Sequence, residues 1–237
     1  MKNCQLHILC EGPTEVTFAS KVLAPHLKAH SIYVKPILLC TSKKSGAYGG
    51  VTNYANIVND LRPIFAGLRN SANETHIVTT MLDLYAIPTD MPGYEMASRC
   101  KNPYDRVMCM EQAFVENINN RLFIPYIQLH EFETLLFADI SKLTFAYPKA
   151  QQEIDQLKAD TDGIGEGNPE LINHGVNTAP SKRIIKCLVN KYNYDKVRSG
   201  VSIASQITLP VILNRCVHFR EWVERIIALS DQLETEK

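Results

Sequence analysis

The chain has 237 residues, of which 45% are hydrophobic and 21% are charged. These proportions are typical of a globular protein and argue against extensive disorder. Twenty-five basic residues balance 25 acidic ones, so the chain lacks the overall positive charge of many nucleic-acid-binding domains. We therefore expect a single domain over residues 1–237, in which any nucleic-acid binding uses a local basic patch.

The cysteine pattern and the hydropathy pattern both indicate the cellular compartment of the protein. The seven cysteines are scattered and never spaced C-x-x-C, which is typical of a reducing compartment and gives no sign of structural zinc. The first ten residues are too short and too polar for the core of a signal peptide. No window is long and apolar enough to cross a bilayer. The sequence therefore predicts a cytoplasmic protein without a membrane-spanning segment.

Signals for strands and helices alternate along the first 140 residues. Apolar runs bounded by turn residues predict strands at 5–10, 33–40, 76–84 and 123–129. Apolar residues predict helices at 16–30, 54–69, 106–121 and 132–138, and a mostly polar segment predicts an exposed helix at 139–156. Thr14 is the expected N-cap of the first helix. This alternation is typical of an α/β fold, with a mainly parallel sheet and flanking helices.

The C-terminal part of the chain lacks further strand alternation. Residues 160–181 are rich in Gly, Asn, Asp and Pro, which predicts a long irregular connection. Apolar segments at 184–192 and 203–209 precede a predicted helix at 211–229. Trp222 lies at helical spacing from its apolar neighbours there, so we expect it to pack in the core.

Acidic residues end three of the four predicted strands. They are Glu11, Asp83 and Glu131, and Glu133 follows two residues later. The carboxyl ends of parallel strands line the functional crevice of such sheets. Mg²⁺ prefers carboxylate oxygens and, in phosphodiester cleavage, neutralises charge and orients the attacking water. The sequence therefore predicts a metal site from the acids together, although for each acid taken alone a helix cap is the favoured interpretation.

Three further residues near these acids have both a chemical and a structural interpretation. His130 is a candidate general acid or base, because its reference pKa lies near 7, or else a hydrogen-bonded anchor for its neighbours. Glu15 lies in the first turn of a predicted helix, where interaction with the helix dipole is the simpler interpretation. Asp90 lies between two prolines, where a turn explains it.

Two pairs of basic residues are candidate contacts for the phosphate backbone of a nucleic acid. Lys43 and Lys44 lie in a predicted glycine-bearing loop, and Lys182 and Arg183 lie at a predicted helix start. Such contacts position a backbone without reading its sequence. Solvation of the surface is the alternative interpretation for each residue alone. The glycines of the loop do not form a nucleotide-binding P-loop, because the G-x-x-x-x-G-K-[ST] pattern is absent.

Five segments together show a family resemblance. They are 11–15 (EGPTE), 81–85 (MLDLY), 126–139 (YIQLHEFETLLFAD), 177–183 (NTAPSKR) and 215–222 (RCVHFREW). They resemble the prokaryotic family labelled domain of unknown function 4276, over nearly the whole chain. That family is similar to TOPRIM domains, the metal-binding modules of topoisomerases, primases and overcoming-lysogenization-defect nucleases. The resemblance implies a TOPRIM-like, Rossmann-like core over about 1–140 and a helical C-terminal elaboration over about 141–237.

TOPRIM domains have a glutamate after the first strand and a D-x-D pair after the third. Glu11 matches the glutamate and Asp83 the first aspartate, but Tyr85 occupies the place of the second. Glu131 or Glu133 is then the expected replacement ligand.

The resemblance implies a nuclease dependent on Mg²⁺, with Mn²⁺ as an alternative, that acts on DNA or RNA. It also implies a role in antiviral defence beside a partner ATPase. The missing aspartate leaves open a non-catalytic module that binds an ATPase or nucleic acid, and another phosphotransfer activity at the same site is a third interpretation. Assembly into homo-oligomers is left open as well.

Overall fold

The computed structural model describes residues 3–42, 47–48, 51–69, 73–172 and 176–236. The chain forms two compact units, which we call unit 1 (Met1–Gln128 with Glu221–Lys237) and unit 2 (Leu129–Arg220). The single domain expected over residues 1–237, with its core ending near residue 140, stays a prediction. None of the helices in the described ranges is long and apolar enough to cross a membrane.

Unit 1 contains a parallel sheet. Its strands are β1 (Asn3–Cys10), β2 (Ile32–Leu38), β5 (Glu74–Asp83), β6 (Phe123–Ile124) and β7 (Ile127–Gln128). Two short strands between β2 and β5, β3 (Cys40–Ser42) and β4 (Ala47–Tyr48), form a separate antiparallel pair. The parallel order is β2-β1-β5-β6, and β7 also pairs with β5. Leu6 of β1 lies opposite Val34 on one side and Ile77 on the other. The predicted mainly parallel sheet with flanking helices is confirmed.

The helices of unit 1 include those predicted, with small shifts, and one short helix at Tyr94–Ala97 that was not predicted. They are α1 (Pro13–Phe18), continuing through a π-helical turn (Ala19–Leu23) into α2 (Ala24–Lys28), then α3 (Tyr54–Gly67), α4 (Tyr94–Ala97) and α5 (Pro103–Ile118). The predicted N-cap at Thr14 is wrong, because α1 begins at Pro13 and Gly12 is its N-cap. Proline is favoured at a first helical position, where its missing N–H costs no hydrogen bond.

The fourth predicted strand, at 123–129, is wrong in its continuity. It consists of β6 and β7 with Pro125 and Tyr126 between them, since proline has no N–H to donate to a ladder. Side chains replace the missing ladder bonds here. The Tyr126 N–H donates to the Thr80 hydroxyl at 3.0 Å, and the N–H of Ile127 donates to Glu111 Oε1 at 2.8 Å.

Unit 2 is built from short helices. They are a 3₁₀ segment (Phe132–Lys142), α6 (Leu143–Ala146), α7 (Gln151–Thr161), α8 (Pro180–Leu188), a π-helical turn (Lys196–Gly200), α9 (Val201–Ile207), α10 (Leu209–Arg215) and the start of α11 (Val217–Thr235), which ends in unit 1. The helical character expected for the C-terminal part is thus confirmed. Short 3₁₀ turns and irregular backbone fill much of the predicted irregular connection.

Two helix predictions in unit 2 are wrong in their continuity. The helix expected at 139–156 is interrupted, because Asp139 has non-helical φ and ψ and Pro148 opens a separate 3₁₀ turn. The helix expected at 211–229 is two helices, since Cys216 between α10 and α11 has extended backbone angles. Trp222 is 1% exposed, in agreement with its expected place in the core.

Candidate metal centre and its surroundings

Two predicted acids come together at the carboxyl ends of the neighbouring strands β1 and β5. The N–H of Glu11 donates to the carbonyl of Met81 at 3.0 Å, which extends the pairing one residue past the end of β1. Glu11 Oε2 then accepts a hydrogen bond of 2.8 Å from the N–H of Asp83. Glu11 is partly exposed, whereas Asp83 is only 7% exposed. The pair thus joins two adjacent strand ends.

A third carboxylate, that of Glu15, lies against the turn after β1. Glu15 is 2% exposed, and a Cβ built on Gly12 would lie 2.8 Å from Glu15 Oε2. Glycine at this position therefore leaves room for the carboxylate. Burial raises the pKa of the Cys10 thiol, and the charge of Glu15 raises it further. Glu15 was predicted only as a residue in the first turn of a helix. That position gave no sign that its carboxylate would be buried beside the end of β1.

The donor set of unit 1 fits Mg²⁺. This ion is usually bound in proteins by one or two carboxylates, with waters and phosphate oxygens completing the octahedron. Glu11 and Asp83 supply two carboxylates at the ends of the neighbouring strands β1 and β5. Within the described parts of the chain, no group of three or more His, Cys, Asp and Glu side chains is placed to hold a metal ion, so waters or substrate oxygens would have to complete the coordination.

Glu131 lies in unit 2 and contacts the start of α8. Its Oε1 accepts the N–H of Ser181 at 2.7 Å, and its Oε2 accepts the hydroxyl of Ser181 at 3.1 Å. The first N–H groups of a helix have no intrahelical acceptor, and the side chain of Ala179 at the N-cap of α8 offers none. Glu131 therefore acts as a helix cap, and its role as a metal ligand stays a prediction.

Glu133 is the most buried of the predicted acids, at 1% exposure. The hydroxyl of Tyr194 donates to its Oε1 at 3.1 Å, and the Lys196 ammonium lies 3.7 Å from its Oε2. Burial raises the pKa of Glu133 to about 7, against the opposing effect of Lys196, while the charge of Glu131 raises it further. Burial also raises the pKa of Tyr194. A carboxyl with this pKa exchanges protons near neutrality.

Sequence reasoning missed Tyr194 and Lys196. They lie about 60 residues after Glu133 in an irregular stretch without periodicity, so only the folded chain brings them to it. Lys196 also lies over the ring of Phe132, 5.7 Å from its centroid, which holds the ammonium beside the carboxylate.

His130 makes a buried hydrogen bond to the backbone. It has a positive φ of 63° and is 4% exposed, and its Nε2 lies 2.9 Å from the carbonyl oxygen of Glu170. A carbonyl only accepts, so Nε2 carries the proton. This contact corresponds to the anchoring alternative, and a catalytic role for His130 stays a prediction.

The remaining candidate residues contact backbone groups, are exposed, or lie outside the described residues. Arg183 donates from Nε to the carbonyl of Thr178 and from Nη2 to that of Ile172, so its guanidinium ties backbone together. Lys182 is exposed on α8. Asp90 accepts the N–H of Tyr54 at 2.9 Å and so supports the start of α3. Lys43 and Lys44 lie outside the described residues, and their phosphate-binding role stays a prediction.

Comparisons with known proteins place this chain in a family. No curated protein matches it. The C-terminal region of the Burkholderia pseudomallei OLD protein is similar in structure, with a TM-score of 0.43 and 15% identity over 94% of this chain and 97% of that chain. Residues 10–227 match the model of the family described as domain of unknown function DUF4276. Since this match spans most of the sequence, the protein belongs to the DUF4276 family.

Proposed function

We propose that the protein is a Mg²⁺-dependent nuclease of TOPRIM type, which hydrolyses phosphodiester bonds in DNA or RNA. The observation that supports this most directly is the hydrogen-bonded pair of Glu11 and Asp83 at the ends of two central parallel strands. The place of Glu11 directly after β1 and of Asp83 at the end of β5 agrees with the motif resemblance.

Glu11 and Asp83 would hold Mg²⁺, which supplies charge neutralisation at the phosphate and activation of water. The backbone N–H of Asp83 orients Glu11, so the carboxylate loses little freedom when a ligand binds. Glu15 adds negative charge beside the turn and strengthens the attraction for a cation. No covalent nucleophile on the protein is needed for this chemistry.

The proposal includes roles for other predicted residues. Glu131 or Glu133 is the replacement for the missing aspartate, His130 is an acid or base, and Lys182 with Arg183 contacts phosphate. A partner ATPase and a role in antiviral defence are part of the proposal through the motif resemblance. Variants of the individual residues separate these roles from structural ones.

Calorimetric titration with Mg²⁺ and Mn²⁺ tests the metal site, paired with cleavage assays on plasmid DNA and total RNA. The informative variants are Glu11→Gln and Asp83→Asn. The new amide in Glu11→Gln keeps an oxygen that accepts the N–H of Asp83, so the fold is retained while the charge is removed. We expect metal binding to be lost and cleavage to fall at least about a hundredfold, since the metal contributes several kcal/mol.

Glu116→Gln is the matched control, because Glu116 is exposed on α5 and contacts only the amide of Gln112 among the hydrogen bonds seen in the described residues. It should bind metal and cleave like the wild type. Wild-type cleavage by folded Glu11→Gln would refute the assignment. If the folded wild type neither binds metal nor cleaves, the non-catalytic module is the better interpretation.

A further inference from the structure

Two histidines face each other on the sheet of unit 1. His7 lies on β1 and His76 on β5, and His7 Nε2 is 3.3 Å from His76 Nδ1. Along the strands, His7 precedes Glu11 by about 13 Å and His76 precedes Asp83 by about 23 Å, at the usual rise per residue. The pair is therefore separate from the Glu11–Asp83 site.

A backbone carbonyl determines which nitrogen of His76 is protonated. His76 Nε2 lies 3.0 Å from the carbonyl oxygen of Arg69. Because a carbonyl only accepts, Nε2 carries the proton and donates a hydrogen bond to this oxygen. In the neutral ring, Nδ1 then has a free lone pair, which is directed at His7. Metal-binding histidines usually show this arrangement, in which the second ring nitrogen donates to a carbonyl or carboxylate.

The separation of the two nitrogens matches that of two ligands on one metal ion. Nitrogens at the usual Zn–N distance from a tetrahedral Zn²⁺ lie about 3.3–3.4 Å apart. The two rings are tilted by 39° with 5.5 Å between their centroids, so neither ring covers the other. Burial, together with the charges of His76 and Lys35, lowers the pKa of His7 to about 4, which leaves its ring neutral at pH 7.

The histidines open onto a cavity of about 600 Å³ between the sheet and α3. Its lining also includes the polar or charged side chains of Lys35, Cys40, Asp60 and Glu74. The carboxylates of Asp60 and Glu74 offset the positive charges of Lys35 and Arg69, which also lines the cavity. The cavity has room for water or a small ligand. These would occupy the coordination positions of the metal that the two imidazoles do not fill.

We propose that His7 and His76 form a second metal site, specific for Zn²⁺ and similar first-row ions that prefer imidazole over oxygen. In the metal-free protein, the His7 Nε2–H donates to His76 Nδ1. When Zn²⁺ binds, the His7 proton moves from Nε2 to Nδ1 by exchange with solvent, so that His7 Nε2 and His76 Nδ1 each offer a lone pair to the metal. Mg²⁺ does not compete, because it prefers oxygen ligands.

Long-range ¹H–¹⁵N spectra of the histidine side chains test this site directly. The protein is held in excess Mg²⁺ and titrated with Zn²⁺, so that the Glu11–Asp83 site does not contribute. We expect the His76 Nδ1 and His7 Nε2 signals to shift together at one Zn²⁺ per chain. His7→Gln and His76→Gln should each weaken Zn²⁺ binding at least about tenfold, in proteins whose amide spectra show the native fold.

The chain provides a control in His26, on α2, and His30, two residues past the end of α2, whose ring centroids are 5.7 Å apart. This second pair of neighbouring imidazoles lies outside the proposed site, so His26→Gln should leave the His7 and His76 shifts unchanged. Zn²⁺ shifts confined to His26 and His30, or unchanged affinity in both His7→Gln and His76→Gln, would overturn the proposal. The outcome is independent of nuclease activity.

Discussion

The indole N–H of Trp222 donates a hydrogen bond of 2.9 Å to the hydroxyl of Thr79, a residue 143 positions earlier in the chain. The Thr79 hydroxyl in turn donates to the carbonyl of Ile124, and the Trp222 ring stacks on Tyr126 with 4.4 Å between centroids. This chain of contacts joins α11 to the place where β5 pairs with β6, within unit 1.

Trp222→Phe should lower the free energy of unfolding by about 2–3 kcal/mol. The substitution removes the indole hydrogen bond and leaves a small cavity at a fully buried site. Urea denaturation followed by circular dichroism measures the change. Tryptophan fluorescence is unsuitable, because the substitution removes the chain's one tryptophan. Phe145→Leu, at a side chain that is 60% exposed, should shift stability by less than about 0.5 kcal/mol. Equal stability of Trp222→Phe and the wild type would contradict this role.

Glu170 caps the beginning of α11 from within unit 2. It is 0% exposed, and its two carboxylate oxygens accept the N–H groups of His218 and Phe219 at 2.9 and 3.0 Å. Glu170→Ala should lower the free energy of unfolding by about 2–4 kcal/mol, because the buried N–H groups of His218 and Phe219 lose their acceptor. Hydrogen exchange of these two amides should accelerate strongly, whereas Glu221→Ala, at an exposed position on α11, should leave it near the wild-type rate. Unchanged protection in Glu170→Ala would exclude the capping role.

The main features of the sheet were predictable because they depend on local pattern. The apolar runs that form β1, β2 and β5 are long and bounded by turn residues, so their boundaries were found to within a few residues. Pro125 is a local signal for the break between β6 and β7, but the side chains that replace the ladder bonds there, Thr80 and Glu111, were not predictable. Those partners come from distant parts of the sequence.

The same distinction applies to the candidate site. Glu11 and Asp83 were predictable as neighbours, since both end parallel strands of one sheet. The partners of the unit 2 acids were not, because Ser181, Tyr194 and Lys196 lie on short helical or irregular segments without a repeating pattern. A sequence pattern shows where a strand ends, but it does not show which distant side chain will contact that end.

Two substitutions at Glu131 separate its capping role from the predicted ligand role. Glu131→Ala removes the acceptor for the Ser181 N–H and should lower the free energy of unfolding by about 1–2 kcal/mol. Glu131→Gln keeps one oxygen acceptor and should stay within about 1 kcal/mol of the wild type. If Glu131 is a ligand, folded Glu131→Gln should lose cleavage about a hundredfold. Full cleavage by Glu131→Gln would leave Glu131 as a cap alone.

Glu133 should make the stability of the metal-free protein depend on pH. Its pKa is about 7 in the folded chain, compared with an ordinary value of 4.5, chiefly because of burial. Since the folded state binds this proton more tightly, the stabilisation is fully present below about pH 4.5 and is lost as the pH rises through about 7. Relative to Glu133→Gln, the wild type should therefore lose on the order of 3 kcal/mol across this range.

Urea denaturation in the presence of a chelator, repeated between pH 4.5 and 8, measures this difference. Lys196→Met should extend the loss to higher pH, because the Lys196 ammonium opposes the rise in the pKa of Glu133. Glu166→Gln, at an exposed position of unit 2, should follow the wild-type profile. A constant difference between the wild type and Glu133→Gln would show that Glu133 has the same pKa folded and unfolded, and that the contact with Lys196 compensates fully for its burial.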